Sequence, residues 1–316
     1  MAGEVITVFG GSGFVGRHLV RRLAKAGHIL RIAVRHPQDA SFLKPLGDVG
    51  QITPIAADLT MPETLGPVLL GATQCVNLVG LLHEKGRQSF DAVHVEGARQ
   101  VALAAKAAGL KDMVQISALG AGPDTDADYA RSKFAGEEAV RAAFPGAVVV
   151  RPSLIIGPED AFFNRFAAIA RLSPVLPLID GGKTLFQPTY VGDVADAIQR
   201  ALADPAQRGR SFELAGPRTY TFRQLLELML KEIGRKRLLL PVPGTVAAMQ
   251  AMVLERLPKP PLTRDQIRLL RRDNVMARDA RGYPDLGIVP QSIEAILPTY
   301  LDRYRPGGRF AQVTRA

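Results

Sequence analysis

The chain has 316 residues, 47% of them hydrophobic, so it can bury one large core or a core with a smaller second lobe and is not intrinsically disordered. Its formal net charge of +10 lies mostly in the last quarter: residues 1–230 hold 24 Lys and Arg against 22 Asp and Glu, and residues 231–316 hold 16 against 8. We expect no nucleic-acid partner, because aromatic residues make up only 6% and no helix-turn-helix, zinc or aromatic RNA-platform motif is present.

The first predicted elements are a strand, a glycine-rich turn and a helix. An apolar run over residues 5–9 leads into the turn, and apolar residues recur at helical spacing after it. Bare glycine backbone and the N–H groups at a helix start bind phosphate oxygens, so the pattern predicts a site for a dinucleotide pyrophosphate; the alternative is a tight turn that binds nothing. The candidate residues are Gly10, Gly11, Ser12, Gly13, Phe14, Val15 and Gly16.

Strand and helix patterns then alternate at intervals of about 20 to 30 residues, as right-handed parallel crossovers require. We therefore predict an α/β fold, a Rossmann-type doubly wound parallel sheet whose ligand crevice lies at the carboxyl ends of the strands. The further predicted strands are 29–34, 52–57, 75–79, 113–117 and 148–151, and the clearest predicted helices are 96–108 and 129–143.

Beyond Pro152 the pattern loosens and prolines accumulate, which predicts a smaller, mainly helical lobe. Residues 191–203 are expected to return to the sheet, and residues 307–316 to form a loose tail. The predicted domains are a dinucleotide-binding domain over 1–151 and 189–212 and a smaller lobe over 152–188 and 213–316. Helices in that lobe are predicted over 222–233, 245–257 and 263–272.

Other features of the sequence bound its setting. The single cysteine, Cys75, lies in an apolar run and is expected to be a small buried residue, and the five histidines have no metal-ligand spacing, so no metal site is expected. No signal or transit pattern opens the chain, and the charge-free run 238–254 is short and broken by prolines. We expect a soluble or peripheral protein in a reducing compartment.

Motifs spread over nearly the whole chain resemble the extended short-chain dehydrogenase/reductases. The marks that match are Gly10, Gly13 and Gly16, Asp58-Leu59, Asn77-Leu78-Val79-Gly80, Tyr129 with Lys133, Arg151-Pro152, and Pro188 with Val191 and Asp193. Stretches 45–51, 76–80, 143–147, 157–160 and 187–191 more closely resemble the nucleotide-binding, dehydrogenase-like accessory subunit of respiratory complex I and its bacterial relatives.

The resemblance implies a tightly held NADPH, no demonstrated turnover, and a place among the peripheral-arm subunits of complex I near the quinone site. It further implies a peripheral position on the cytoplasmic face of the inner (plasma) membrane. Residues that the resemblance adds to the cofactor site are Leu59, Leu78, Val79, Gly80 and Pro152.

The residue after the second predicted strand, Arg35, bears on the choice of cofactor. An NAD-specific site places a carboxylate there for the ribose 2′-hydroxyl, whereas a guanidinium suits a 2′-phosphate, so NADPH is expected rather than NAD(H). The alternative is a solvated surface arginine. Asp58, which follows the third strand, has two open interpretations: it binds the adenine edge, or it caps the next helix.

Tyr129 and Lys133 share one helix face, one turn apart. In active relatives such a lysine holds the nicotinamide ribose and lowers the tyrosine pKa for proton transfer to a carbonyl. Those relatives also hold the substrate oxygen with a hydroxyl two residues beyond Ser117, where this chain has Leu119. Ser117 is a weak substitute. Either Tyr129 and Lys133 are catalytic, or they remain because they bind ribose.

The cluster Arg235, Lys236 and Arg237 precedes the uncharged stretch 238–254. A predicted stripe of apolar residues at helical spacing begins in the second half of that stretch: Val246, Met249, Met252, Val253 and Leu257. Such a helix beside cations docks on anionic headgroups or in a partner's groove, or it packs on the core beside ordinary solvated arginines.

The sequence as a whole leaves two functional hypotheses. The first is an NADPH-loaded, catalytically idle accessory subunit of complex I; the second is an NADP(H)-dependent reductase or epimerase that acts on an isoprenoid or quinone-type molecule.

Overall fold

The computed structural model describes residues 3–255 and 263–308, which form two compact units. The first unit runs to Pro152 and includes Val191–Leu214 and Arg278–Val289. The second unit comprises Ser153–Tyr190 and the described parts of Ala215–Ala277 and Pro290–Ala316. No helix within these described residues is both long enough and apolar enough to cross a membrane.

The strands are β1 (Val5–Phe9), β2 (Ile29–Val34), β3 (Ile52–Ala56), β4 (Gln74–Asn77), β5 (Asp112–Ile116), β6 (Val148–Pro152), β7 (Ile155–Ile156), β8 (Val175–Ile179), β9 (Leu185–Phe186), β10 (Thr189–Tyr190), β11 (Ser211–Leu214), β12 (Tyr220–Thr221) and β13 (Leu238–Val242). The α-helices are α1 (Phe14–Lys25), α2 (Leu65–Leu69), α3 (Ala98–Ala107), α4 (Asp128–Ala143), α5 (Phe162–Leu172), α6 (Val191–Ala203), α7 (Phe222–Glu232), α8 (Gly244–Leu254), α9 (Arg264–Leu270), α10 (Ile293–Ile296) and α11 (Pro298–Leu301).

The first unit is built on a seven-stranded parallel sheet in the order β11-β6-β5-β4-β1-β2-β3. The predicted Rossmann-type doubly wound fold is confirmed. The strand order reverses between β1 and β4, where Phe9 lies opposite Asn77, so the ligand crevice of this fold class opens beside the carboxyl ends of these two strands. Cys75 on β4 is fully buried, and burial raises the pKa of its thiol to about 12, which keeps it inert.

Two predictions about chain course are wrong. Residues 191–203 do not return to the sheet: they form α6, because Val191, Val194 and Ile198 recur at helical spacing and bury one face. The last sheet strand is β11. Residues 278–289 belong to the first unit rather than to the smaller lobe, because the Glu213 N–H donates to the Arg281 carbonyl at 2.8 Å along the sheet edge.

The second unit combines short paired strands with helices around a hydrophobic core of aliphatic and aromatic residues. β7 pairs with β10 and β8 with β13 in parallel, and β9 pairs with β12 antiparallel. Buried Phe163 and Phe222 anchor α5 and α7 in one hydrophobic cluster. Asp160 begins α5 by accepting the Phe163 N–H at 2.6 Å, and it also accepts the Tyr300 hydroxyl, which ties α11 to that helix start.

Candidate functional site

The glycine-rich turn lies between β1 and α1, as predicted. Gly10 has φ +75°, a conformation that favours glycine, and the Gly13 N–H donates to the Gly10 carbonyl at 3.0 Å to close the turn. Gly13 is the N-cap of α1, so the first N–H groups of that helix follow directly from the turn. Ser12, Phe14 and Val15 lie within this strand-turn-helix segment.

The glycines of the turn have different reasons to lack a side chain. A Cβ on Gly16 would lie 2.4 Å from the Gly10 carbonyl oxygen, so Gly16 lets α1 pack against the turn. A Cβ on Gly11 would meet Ile32 at 2.8 Å. A Cβ on Gly13 would have one close neighbour, the Gly10 oxygen at 3.2 Å, so a side chain there requires a shift of a few tenths of an ångström but meets no contact as short as the one at Gly16. Because Gly13 has no side chain, its backbone is accessible to a ligand.

The Arg17 side chain braces this turn from the first turn of α1. Its guanidinium donates to the carbonyls of Gly13 and Ser12, each at 3.3 Å, and lies over the Phe42 ring at 5.2 Å. These bonds satisfy carbonyl oxygens on the turn and place a positive charge next to the proposed pyrophosphate site.

Arg35 directly follows β2 and is exposed, with no side-chain hydrogen bond or ion pair to any residue that the structure describes. Its guanidinium is therefore available to a ligand at the carboxyl end of β2.

Asp58 follows β3, where its Oδ1 accepts from the Thr60 N–H at 2.9 Å and the Thr60 hydroxyl at 2.8 Å. Asp58 therefore stabilises the turn after β3, and nothing in this geometry requires a role with adenine. The next residue, Leu59, is buried.

The segment after β4 lies against the glycine turn. The Leu78 N–H donates to the Phe9 carbonyl at 3.0 Å, and the Val79 N–H donates to the Asn77 side chain at 3.1 Å. A Cβ on Gly10 would lie 3.2 Å from the backbone of Leu78 and Val79, so the two loops touch at the switch point of the sheet. The predicted residues Leu78 and Val79 thus adjoin the predicted phosphate-binding turn.

Tyr129 and Lys133 lie one turn apart on α4, as predicted. The Lys133 ammonium donates to the Ile116 carbonyl at 3.3 Å, and a Cβ on Gly80 would lie 3.2 Å from its Nζ. Burial lowers the pKa of Lys133 to about 8 against the opposing effect of Glu137, and burial raises the pKa of Tyr129 to about 12. The phenol is thus protonated at neutral pH.

One residue of this site was not identified from the sequence. His94 is buried, stacks on Phe90 with ring centroids 5.3 Å apart, and packs edge-on against Tyr129 at 5.5 Å. It lies in a π-helical segment, Asp91–Gly97, that precedes α3 where an ordinary helix start was predicted. A lone histidine without metal-ligand spacing carries no sequence signal, and a π-helix has no distinctive apolar period, so only the folded structure reveals it.

Ser117 and Leu119 follow β5 at the same end of the sheet. Ser117 is 4% exposed, and its hydroxyl oxygen is buried without a hydrogen-bond partner among the described residues. Leu119 is 7% exposed, and its backbone N–H donates to the carbonyl of Pro152 at 2.9 Å. An apolar side chain therefore lies at the position where the resemblance to active relatives predicts a hydroxyl.

These residues fit a dinucleotide. The glycine-rich turn at the carboxyl end of β1 has no side chain at Gly13, so its backbone is accessible. The guanidinium of Arg35 is available to a ligand, and the buried hydroxyl of Ser117 has no hydrogen-bond partner among the described residues. A buried hydroxyl without a partner is costly, so a bound polar group would stabilise it. Backbone N–H groups and positive charge suit phosphates, and Lys133 with Tyr129 suits a ribose.

A dinucleotide cradle at the switch point together with a Tyr-Lys pair on α4 defines a dehydrogenase/reductase-like protein of the extended short-chain type. The chain belongs to the NAD dependent epimerase/dehydratase family, whose sequence model matches residues 6–215. Its fold is similar to that of DesIV, a dTDP-glucose 4,6-dehydratase from Streptomyces venezuelae, with a TM-score of 0.74, 19% identity and coverage of 95% of this chain and 96% of the other.

Two curated relatives are more similar in sequence. NADH dehydrogenase (ubiquinone) 1 alpha subcomplex subunit 9, mitochondrial, from Arabidopsis thaliana is 36% identical over 320 residues, 98% of this chain and 80% of that protein. The resemblance to the complex I accessory subunit is thus confirmed. Ceramide reductase from Caulobacter vibrioides is 38% identical over 175 residues, 55% of this chain and 54% of that protein.

The three members of the basic cluster, Arg235, Lys236 and Arg237, differ in their contacts within the second unit. The Arg235 guanidinium donates to the Tyr304 carbonyl at 3.2 Å and that of Arg237 to the Ala170 carbonyl at 2.7 Å, so both brace their own unit. Lys236 between them is exposed. The expectation that the three cations dock on an acidic partner or an anionic lipid surface stays a prediction, in which Lys236 is the exposed member.

Helix α8 places small residues inward and larger apolar residues outward. Ala247 and Ala251 are buried, whereas Val246, Met249 and Met252 are 41, 66 and 48% exposed. We call these three exposed side chains the α8 face. The predicted stripe also included Val253, whose side chain is not described, and Leu257, which lies outside the described residues. An uncharged helix with this outward face is typical of an interaction surface.

Substitution of Gly13 by Val tests whether the glycine-rich turn binds the dinucleotide phosphates. We expect the variant to fold but to lose nucleotide affinity, because the side chain would fill the approach to the backbone. Nucleotide at about a hundred times its dissociation constant should stabilise the parent by about 2.7 kcal/mol and the variant far less, as measured by thermal melting.

Gly16→Ala is the contrasting control for Gly13→Val, since its Cβ would clash within the protein and should lower stability even without nucleotide. Parental nucleotide affinity in Gly13→Val would contradict the assignment of the turn as the phosphate site.

Proposed function

We propose that this chain is an NADP(H)-binding, catalytically idle accessory subunit of respiratory complex I, in which the bound nucleotide stabilises the fold. The observation that carries the proposal is the combination of an intact cradle with Leu119 in place of the substrate-binding hydroxyl. Loss of one such donor typically lowers turnover by about a hundredfold or more. The full-length similarity to the Arabidopsis complex I subunit supports the same assignment.

The proposal is tested by copurification. Complex I from solubilised membranes, captured through this chain, should contain peripheral-arm subunits and about one NADPH per copy of this chain. Capture of the chain with nucleotide but without any complex I subunit would overturn the accessory role while leaving nucleotide binding intact.

NADPH rather than NADH is the proposed cofactor because Arg35 is exposed and available where an NAD site requires a carboxylate. Arg35→Asp should weaken NADPH binding by about 1.5 to 3 kcal/mol, the range for charge-assisted hydrogen bonds, and leave NADH binding nearly unchanged. Isothermal calorimetry with both nucleotides measures the difference.

Lys111→Asp is the matched control for Arg35→Asp, because it makes the same charge change at an exposed residue that precedes β5, at the opposite end of the sheet. Equal affinity of the parent protein for NADPH and NADH would refute the role of Arg35.

The proposed location is peripheral, at the membrane that carries complex I, beside the peripheral arm near the quinone site. The Arabidopsis relative is mitochondrial by name, and the cytoplasmic face of the inner (plasma) membrane remains our proposal for a bacterial setting. Exposed Lys236 and the α8 face support attachment through the second unit, since cations and apolar side chains together favour anionic membrane surfaces.

A double substitution, Lys236→Glu with Met249→Glu, should release the protein from membranes at moderate salt and leave NADPH affinity unchanged. Near an anionic surface one cation contributes about 1 kcal/mol, and this attraction weakens as salt shortens the screening length. Cosedimentation across a salt series measures the release.

The matched control for this release is Lys111→Glu with Leu70→Glu, which makes the same changes at exposed residues of the first unit. If the control is released and the Lys236 variant is not, attachment occurs through the first unit instead.

The second candidate function is an NADP(H)-dependent reductase or epimerase that acts on an isoprenoid or quinone-type substrate. The unpartnered Ser117 hydroxyl favours it, since that group is available to a substrate or cofactor oxygen. Similarity to ceramide reductase, which acts on a lipid by its name, also favours it. Tyr129 would then donate the proton, because its phenol is protonated at neutral pH.

Turnover separates the two functions. We expect quinone analogues and lipid ketones to oxidise bound NADPH slowly or not at all, and Tyr129→Phe to leave copurification with complex I intact. Absorbance of the reduced nicotinamide measures the rate. Steady turnover at about 1 per second or more that disappears in Tyr129→Phe would favour the reductase.

A further inference from the structure

His94 connects two parts of the first unit that carry proposed cofactor residues. The Leu81 N–H, in the loop after β4, donates to the Nε2 atom of His94 at 2.8 Å. The Nδ1 atom of His94 lies 2.8 Å from the Ser132 hydroxyl oxygen, and that hydroxyl donates to the Tyr129 carbonyl at 2.8 Å on α4. A continuous chain of hydrogen bonds therefore runs from the loop to the helix.

The geometry defines the protonation of the ring. Because Nε2 accepts a backbone N–H, the single proton of the imidazole lies on Nδ1, where it is donated to the Ser132 oxygen. A second proton would face the Leu81 N–H. Burial, and next the charge of Lys133, lower the pKa of His94 to about 3, so the ring stays neutral beside the ammonium.

Packing around His94 leaves little room for displacement. Its ring is stacked on Phe90. A Cβ on Gly136 of α4 would lie 2.0 Å from the His94 carbonyl oxygen, so glycine at this position lets α4 approach the π-helical segment. A Cβ on Gly80 would lie 3.6 Å from the His94 Nε2 atom and 3.2 Å from the Lys133 Nζ atom. Gly80, His94 and Lys133 thus meet at one point.

We propose that His94 is a positioning residue of the cofactor site: its two ring nitrogens tie the loop after β4 to α4 and so hold Gly80 against Lys133. The inference rests on the proposed function, because it assigns the loop and Lys133 to a bound dinucleotide. Loss of either bond should let the loop move relative to the ammonium and weaken nucleotide binding, since small displacements of positioned groups lose much of their interaction.

Isothermal calorimetry with NADPH on a series of variants tests the role of His94. His94→Phe keeps the stacking on Phe90 and removes both hydrogen bonds, and its dissociation constant should rise about tenfold or more. In His94→Gln the amide oxygen can still accept the Leu81 N–H, and in His94→Asn the amide can still donate to the Ser132 oxygen. The dissociation constants of these two variants for NADPH should therefore lie between those of the parent and of His94→Phe. Ser132→Ala should weaken binding less than His94→Phe.

Ser89→Ala is the matched control, because the Ser89 hydroxyl accepts the Ala92 N–H at 3.0 Å at the start of the π-helical segment and makes no hydrogen bond to α4 among the described residues. Its affinity should equal that of the parent. The second readout is amide hydrogen exchange at Leu81 in the protein without nucleotide, which should be faster in His94→Phe and unchanged in Ser89→Ala.

The outcomes are distinguishable. A purely structural role would lower the melting temperature of His94→Phe without nucleotide and leave the affinity of the folded protein unchanged, which would overturn the inference alone. If His94→Phe does not fold, parental affinity in both His94→Gln and Ser132→Ala would overturn it. A parent protein that binds no nucleotide would overturn the proposed function and, with it, this inference.

Discussion

The close approach of α1 to the turn after β1 is the constraint on which the rest of the site depends. Only glycine fits at Gly16, where a Cβ would lie 2.4 Å from the Gly10 carbonyl oxygen. With that approach, the first N–H groups of α1 lie at the carboxyl end of β1, beside the loop after β4. The parallel sheet then places Arg35, Ser117 and the loop after β4 at the same end, because all parallel strands end there.

In the proposed function, the site serves nucleotide binding rather than catalysis. Groups that suit a dinucleotide are present, and Tyr129 with Lys133 forms the usual pair on α4. Yet Leu119 occupies the position where the resemblance to active relatives predicts a polarising hydroxyl, and the nearby His94 is a neutral ring with hydrogen bonds at both nitrogens. A protein that keeps the cradle and loses one catalytic group gains stability from its ligand without requiring turnover, as linkage between binding and folding provides.

The charged residues of the basic cluster in the second unit have different roles. Arg235 and Arg237 donate to backbone carbonyls and therefore stabilise their own unit, whereas Lys236 remains exposed. Helix α8 likewise uses alanines to pack inward and leaves Val246 and Met249 outside. A run of like charges or a stripe of apolar residues in a sequence therefore does not define a surface until the tertiary structure shows which members are already bonded.

The sequence by itself determined the fold class, the glycine turn, and the placement of Tyr129 and Lys133 on one helix, because these depend on local spacing and on residue types that only one conformation suits. The helix over residues 191–203 also has its apolar spacing in the sequence, although a return to the sheet was predicted there. The sequence did not determine that residues 278–289 pack with the first unit, or that His94 joins the site. Those features arise from contacts between residues far apart in the chain: the carbonyl of Arg281 beside β11, and the close packing of Gly136 against the π-helical segment. Such contacts have no period in the sequence, so only the tertiary structure decided them.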